Sequence, residues 1–192
     1  MSLLLYIHGF LSSPLSAKAV QCEAWLKQHR PDIQYCCPAL TAYPKQVMEQ
    51  LESIVESHQS ESIYLLGSSM GGFYATVLAE KHGFPAVLIN PAVNPHQLIS
   101  NYLHTGLKNY HNEERYRLDE SDTAALEALN PQVINCKSRI WLMAQTGDET
   151  LNYRDAVEKY CGCKQLIEEG GDHSFQNFQQ HLPDIIEFFE KH

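Results

Sequence analysis

The sequence predicts a three-layer α/β fold in which helices cover both faces of a six-stranded, mostly parallel sheet. Three observations point there. Six short runs are apolar almost without interruption, the pattern of strands buried on both faces rather than alternating in and out. Segments with a period near 3.6 separate most of these runs, as right-handed crossovers between parallel strands require. Residues able to do chemistry, His8, Ser69, Asp148 and His173, follow the runs directly. In open parallel sheets a pocket forms beyond the carboxyl ends of the strands.

The elements follow in order. Ser2 to Ile7 is the first strand, and it delivers the chain into His8, Gly9 and Phe10. Ser13 is placed to cap a helix that starts at Pro14, with Ala17, Val20, Ala24 and Trp25 as its apolar positions. Ile33 to Cys37 is a short strand between prolines, and Pro44 opens a helix whose Val47, Leu51, Ile54, Val55 and His58 share a face. Ser62 to Leu66 is the third strand. The helix after it carries Tyr74, Val77 and Leu78 and stops near Gly83. Ala86 to Ile89 is the fourth strand, closed by Asn90 and Pro91.

From about 92 to 137 the pattern changes to short helices at His96 to Tyr102, Glu113 to Arg117 and Asp122 to Leu129, with no strand between them. This exceeds a simple crossover and reads as a small helical insertion. Arg139 to Gln145 is the fifth strand, Asn152 to Tyr160 a helix, and Lys164 to Glu168 a more polar sixth strand suited to a sheet edge. The last helix puts Phe178, Leu182, Ile185, Ile186 and Phe189 on one face, with Pro183 distorting it locally.

Composition narrows the function. A length of 192 residues with 44% hydrophobic content suits a single domain over residues 1–192. The net charge of -9, from 23 acidic and 14 basic residues, disfavours nucleic acid and anionic membranes as partners. No run has the length of a membrane helix, and Leu3 to Ile7 is too short for a signal-peptide core, so a cytoplasmic location is expected. The six cysteines show no framework spacing and are expected as free thiols. Neither Cys36–Cys37 nor Cys161–Cys163 makes a redox pair or more than half a metal site, so no metal and no cofactor is expected.

The sharpest motif is Gly67-Ser68-Ser69-Met70-Gly71-Gly72, where a strand gives way to a helix. A serine at the apex of such an elbow sits in a strained backbone conformation, and the residues two before and two after must pass each other closely. Gly67 and Gly71 frame Ser69 in that way, while Ser68 has Leu66 and Met70 at the same distances. Gly72 leaves further room where the helix meets the sheet. A phosphate-binding loop is excluded, because no lysine follows and the G-x-G-x-x-G spacing is absent.

A nucleophilic serine needs a base and an acid that fixes the base's tautomer. His173, in a glycine-rich loop after the last strand, is the preferred base. His29, His58, His82, His111, His181 and His192 fall on helix surfaces or ends. His8 is the closest competitor and suits shaping the first loop by a side-chain hydrogen bond. Asp148 gives the chain order Ser, Asp, His, with Glu149 and Asp172 as rivals. The oxyanion donors are expected from the backbone N–H groups of Met70 and Phe10, with Gly9 giving the loop freedom to aim the second.

The blocks Leu4 to Phe10 with Ser12 to Pro14, Gly67 to Gly72, Gln145 to Glu149 and Gly171 to Phe175 resemble the α/β-hydrolase fold, and more closely the small bacterial YqiA-like esterases. The likeness runs the length of the chain. It implies a minimal hydrolase lacking the two usual N-terminal strands. It also implies carboxylesterase activity on small-molecule, short acyl esters through Ser69, Asp148 and His173. Thioester hydrolysis uses the same machinery and is the enzymatic alternative. A catalytically silent protein that binds a ligand or partner through the same cleft is the alternative of another class.

Overall fold

Residues 2–109 and 114–192 are described in the computed structural model. In chain order they form β1 (Ser2–Ile7), α1 (Ala17–His29), β2 (Ile33–Cys36), α2 (Pro44–Ser57), β3 (Ser62–Ser68), α3 (Met70–His82) and β4 (Ala86–Ile89). There follow α4 (Pro95–Ser100), β5 (Leu107–Lys108), β6 (Arg115–Tyr116), α5 (Glu120–Leu129), β7 (Ile140–Gln145), α6 (Tyr153–Lys159), β8 (Lys164–Glu168) and α7 (Leu182–Glu190). The main sheet has six strands in the order β2-β1-β3-β4-β7-β8, every neighbouring pair parallel. The polar β8 lies at an edge, as its sequence suggests.

Alternation along the strands builds two cores. Leu3, Leu5 and Ile7 point to one face with Leu65, Leu88 and Leu142, where α2 and α3 add Val47, Leu51, Phe73 and Leu78, and Tyr160, just after α6, joins them. Leu4 and Tyr6 point to the other with Leu66, Val87 and Met143, against Ala19, Cys22 and Leu26 of α1 and Ile185 and Phe189 of α7. This is the three-layer α/β-hydrolase architecture. Burying each of the Leu, Ile, Val, Phe and Met side chains contributes about 1.5–3 kcal/mol, which favours helices covering both faces of the sheet.

The strand order reverses between β1 and β3, because β2 lies outside β1 while β3 and all later strands lie on its inner side. Two loops therefore leave the sheet in opposite directions and open a crevice at their carboxyl ends. His8 to Phe10 forms one wall and Ser69 stands on the other.

Several local expectations are corrected. Helix α1 presents Ala19, Cys22 and Leu26 to the sheet, whereas Val20 is 46% exposed. Small Ala19 and Cys22 allow a close approach to the sheet, and Trp25, three residues after Cys22, packs half-buried against the same core and stacks on His29. Ser13 does not cap that helix. Its hydroxyl accepts from the Leu15 amide in a preceding turn, and the helix starts at Ala17. Helix α3, whose sequence suggests one apolar face, is buried on all sides from Met70 to Ala79.

Between β4 and β7 the chain forms α4, α5 and a two-stranded antiparallel ribbon of β5 and β6, pairing Leu107 with Tyr116 and Lys108 with Arg115. Arg115 and Tyr116 are thus strand, not helix; Glu113, where that helix was expected to start, and His111 lie outside the described residues. The ribbon buries Leu107 and Tyr116 in the same core as α2, with Tyr116 edge-on to Tyr43. The last helical segment opens as a 3-10 turn at Phe178–His181, and α7 then starts at Leu182 with Pro183 in its first turn, where its missing N–H costs nothing.

Candidate active site

Ser69 has φ 57° and ψ -121°, a region that non-glycine residues rarely occupy and that stores about 1–3 kcal/mol. Its neighbours hold it there. The Ser69 amide donates to the Ile89 carbonyl, and the Ser69 carbonyl accepts from the amides of Gly72 and Ala92. The close approach expected of the flanking glycines is visible in the spacing. A Cβ on Gly67 would lie 2.3 Å from the Gly71 carbonyl oxygen, and one on Gly71 would lie 1.9 Å from that of Ile7. Gly72 packs in the same manner against Pro91, where a Cβ would meet the proline ring carbon at 2.7 Å.

The hydroxyl of Ser69 faces an imidazole. Ser69 Oγ lies 3.1 Å from His173 Nε2, and His173 Nδ1 lies 2.8 Å and 3.0 Å from the two oxygens of Asp148. A carboxylate only accepts, so the proton resides on Nδ1 and Nε2 is left to accept from the serine. The Asp148 side chain is 2% exposed. Burial raises its pKa, but the bond from His173 and the amides of Leu151 and Thr150 more than offset this, so it lies below the ordinary 3.8. A hydroxyl, a base and a buried acid in line can abstract a proton from the hydroxyl as it attacks an electrophile.

The other candidates occupy separate roles. The carboxylate of Glu149 accepts the His173 backbone N–H at 3.0 Å. Asp172 closes its own loop, accepting from the Ser174 amide and the Gln176 side chain. His8 is 3% exposed, with Nδ1 2.9 Å from the Gly9 carbonyl and Nε2 accepting from the Leu40 amide. It thus ties the loop after β1 to the segment after β2. Gly9 sits against the serine, since a Cβ there would be 3.3 Å from Ser69 Cβ.

Phe10 and Met70 line one cavity of about 280 Å³ together with Ser69 and His173. Leu98, Ile99 and Tyr102 close it from the α4 side and Leu151 from the far side. Met70 begins α3, so its N–H has no acceptor within the helix. A larger cavity of about 720 Å³ opens at the other end of the sheet beside Trp141, Lys164 and Phe188. It contains neither the serine nor the histidine. Among the described residues no group of three or more His, Cys, Asp or Glu is arranged to hold a metal ion, and all six cysteines are unpaired. No helix among them is long and apolar enough to cross a membrane.

Two residues beside the site were given no site role by the sequence, where Asn90 only closes β4 and Gln145 only ends β7 and opens the block before Asp148. Asn90 and Gln145 are each 3% exposed and hydrogen-bond to the loop that carries His173. The available signal was a polar side chain closing an otherwise apolar strand at the carboxyl edge of the sheet.

The architecture is that of the α/β-hydrolase fold. The chain belongs to the family described as Uncharacterised protein family (UPF0227), whose model matches residues 3–190. Solved structures share the architecture at low identity. Est1E from Butyrivibrio proteoclasticus superposes with a TM-score of 0.72 at 14% identity, covering 99% of this chain and 87% of that one. Alpha/beta hydrolase domain-containing protein 10 from mouse gives 0.76 at 16%, covering 98% and 90%. The esterase domain of a Rhodothermus marinus protein gives 0.69 at 17%, covering 99% and 85%.

Proposed function

We propose that the protein is a serine carboxylesterase that cleaves short acyl esters of small molecules, and that residues 1–192 act as a single domain. One observation carries the reading: Asp148, His173 and Ser69 stand in a hydrogen-bonded line, and the line ends in a cavity with apolar walls. The name of the Rhodothermus marinus esterase domain, a solved structure with this fold, agrees with it.

Ser69 Oγ attacks the ester carbonyl while His173 Nε2 takes its proton. Asp148 holds the ring through Nδ1 and stabilises the charge that the ring gains. The carbonyl oxygen becomes an oxyanion, which the N–H groups of Phe10 and Met70 stabilise. His173 returns the proton to the departing alkoxide, leaving an acyl group on Ser69. Water then attacks the acyl carbonyl and gives a proton to His173 Nε2, and as the Ser69 Oγ–carbon bond breaks His173 returns that proton to Oγ and the acid leaves. His8 and Gly9 shape the loop that aims Phe10, and Gly67, Gly71 and Gly72 hold the elbow.

The test is intact mass after exposure to a fluorophosphonate, alongside hydrolysis of p-nitrophenyl acetate. One adduct is expected on the native protein and none on Ser69→Ala. Ser69→Ala and His173→Ala should each lose at least about 1,000-fold in kcat. An adduct that persists on Ser69→Ala rejects the assignment.

A further inference from the structure

His173 stands on a loop, and a loop alone would not hold an imidazole within hydrogen-bond reach of both Ser69 and Asp148. Its backbone is gripped from below by two buried carboxamides. Asn90 directly follows β4 with φ 41°, a conformation asparagine tolerates better than most residues. Its Nδ2 donates to two successive carbonyls, Asp172 at 3.0 Å and His173 at 3.2 Å. Its Oδ1 accepts from the Gln145 backbone N–H at 3.0 Å.

Gln145 ends the neighbouring β7 and continues the grip. Its Oε1 accepts from the amides of Asp172 at 3.2 Å and Gln176 at 2.8 Å, while Nε2 donates to the Gln176 carbonyl at 3.0 Å. The second Nε2 proton goes to Glu168 Oε2 at 2.8 Å, so the amide has no spare capacity. Gly171 lies directly on it, since a Cβ there would be 2.0 Å from Oε1.

We infer that Asn90 and Gln145 are positioning residues that set the register of His173 against Ser69 and Asp148. The inference rests on the hydrolase reading above. Five hydrogen bonds from two side chains fix the loop from Asp172 to Gln176, flanking the histidine on both sides. Neither side chain lines the cavity beside Ser69, so neither meets the substrate. A buried amide stripped of its partner resists repacking, which makes one loop position much more favourable than its neighbours. Displacement of a reacting group by about 1 Å can cost about 100-fold in rate.

The experiment compares Asn90→Gly, which keeps the positive φ and deletes the amide, with Gln145→Met, which keeps the volume and deletes the polarity. Gln145→Glu, which keeps an acceptor for the two amides, is the third variant in case Gln145→Met does not fold. Each is assayed on p-nitrophenyl acetate well below its melting temperature, alone and in a His173→Ala background. We expect kcat to fall about 10- to 100-fold with KM nearly unchanged, and no further loss once His173 is absent. An unchanged kcat in folded variants of an active protein overturns the inference while leaving the hydrolase reading intact. So does an equal loss with and without His173. A native protein that neither labels at Ser69 nor hydrolyses the ester overturns both.

Discussion

Asp148 is the residue whose electrostatics make the sharpest prediction. Its carboxyl is buried and still held below its ordinary value by His173 and two amides, so it remains ionised wherever the protein is folded near neutrality. A group whose folded pKa is depressed contributes stability that is complete above its unfolded value, here 3.8, and lost as pH falls through the folded value. Asp148→Asn should therefore unfold more easily than the native protein near pH 7, and the gap should close below about pH 4. The same variant should lose about 10,000-fold in kcat near pH 7, because an amide can present the wrong group to Nδ1. Denaturation midpoints and initial rates measured across pH test both; a stability gap that widens in acid would remove the argument. At this scale the sequence was informative where steric demands are unusual. Gly67 and Gly71 had reasons to be glycine that do not depend on the rest of the chain. Asn90 and Gln145 had none, since a polar residue at a strand end reads as ordinary until its hydrogen-bond partners are known.

Helix α3 concentrates the element-scale argument, because glycine stands near both of its ends for different reasons. Gly71 is packed against the Ile7 carbonyl, while Gly83 ends the helix at φ 74° in open space. Gly83→Ala adds only backbone strain and should cost about 1–2 kcal/mol. Gly71→Ala must push β1 and α3 apart and should cost more than about 3 kcal/mol or abolish folding. Urea denaturation of the two variants decides between the causes: a Gly71→Ala protein as stable as Gly83→Ala would mean that the elbow does not need the close approach. Most elements were legible because burial on one side imposes a period. The face of α1 was misjudged because Ala17, Val20 and Ala24 make one apolar stripe and Ala19, Cys22 and Leu26 another. Size decided between them, through proximity to the sheet. The β5 and β6 ribbon was illegible because two residues per strand are too few for an alternation to register.

At the scale of the molecule, the crevice exists because the strand order reverses between β1 and β3, and every proposed catalytic group reaches it from a strand end. Chain order and strand ends singled out Ser69, Asp148 and His173, and the three side chains lie within hydrogen-bond reach of one another, since topology leaves few places where strand-end residues can meet. What closes the crevice was not legible. Helix α4 contributes Leu98 and Ile99 to the cavity, and Tyr102 in the turn after it leans toward Phe10 with ring centroids 6.4 Å apart. A cavity of about 280 Å³ with such walls should take the acyl group, which makes chain length its selective quantity. Each methylene that fits contributes about 0.8 kcal/mol, about fourfold in kcat/KM. The value should therefore climb from acetyl to butyryl p-nitrophenyl esters, then level or fall when the chain outgrows the space. Leu98→Ala and Tyr102→Ala should move the maximum to longer chains while leaving the rate on acetate within about threefold, because neither touches the Ser69 to Asp148 line. A profile that ignores chain length in the native protein, or a maximum unmoved in both variants, would assign this cavity to the leaving alcohol instead and place acyl selection outside α4.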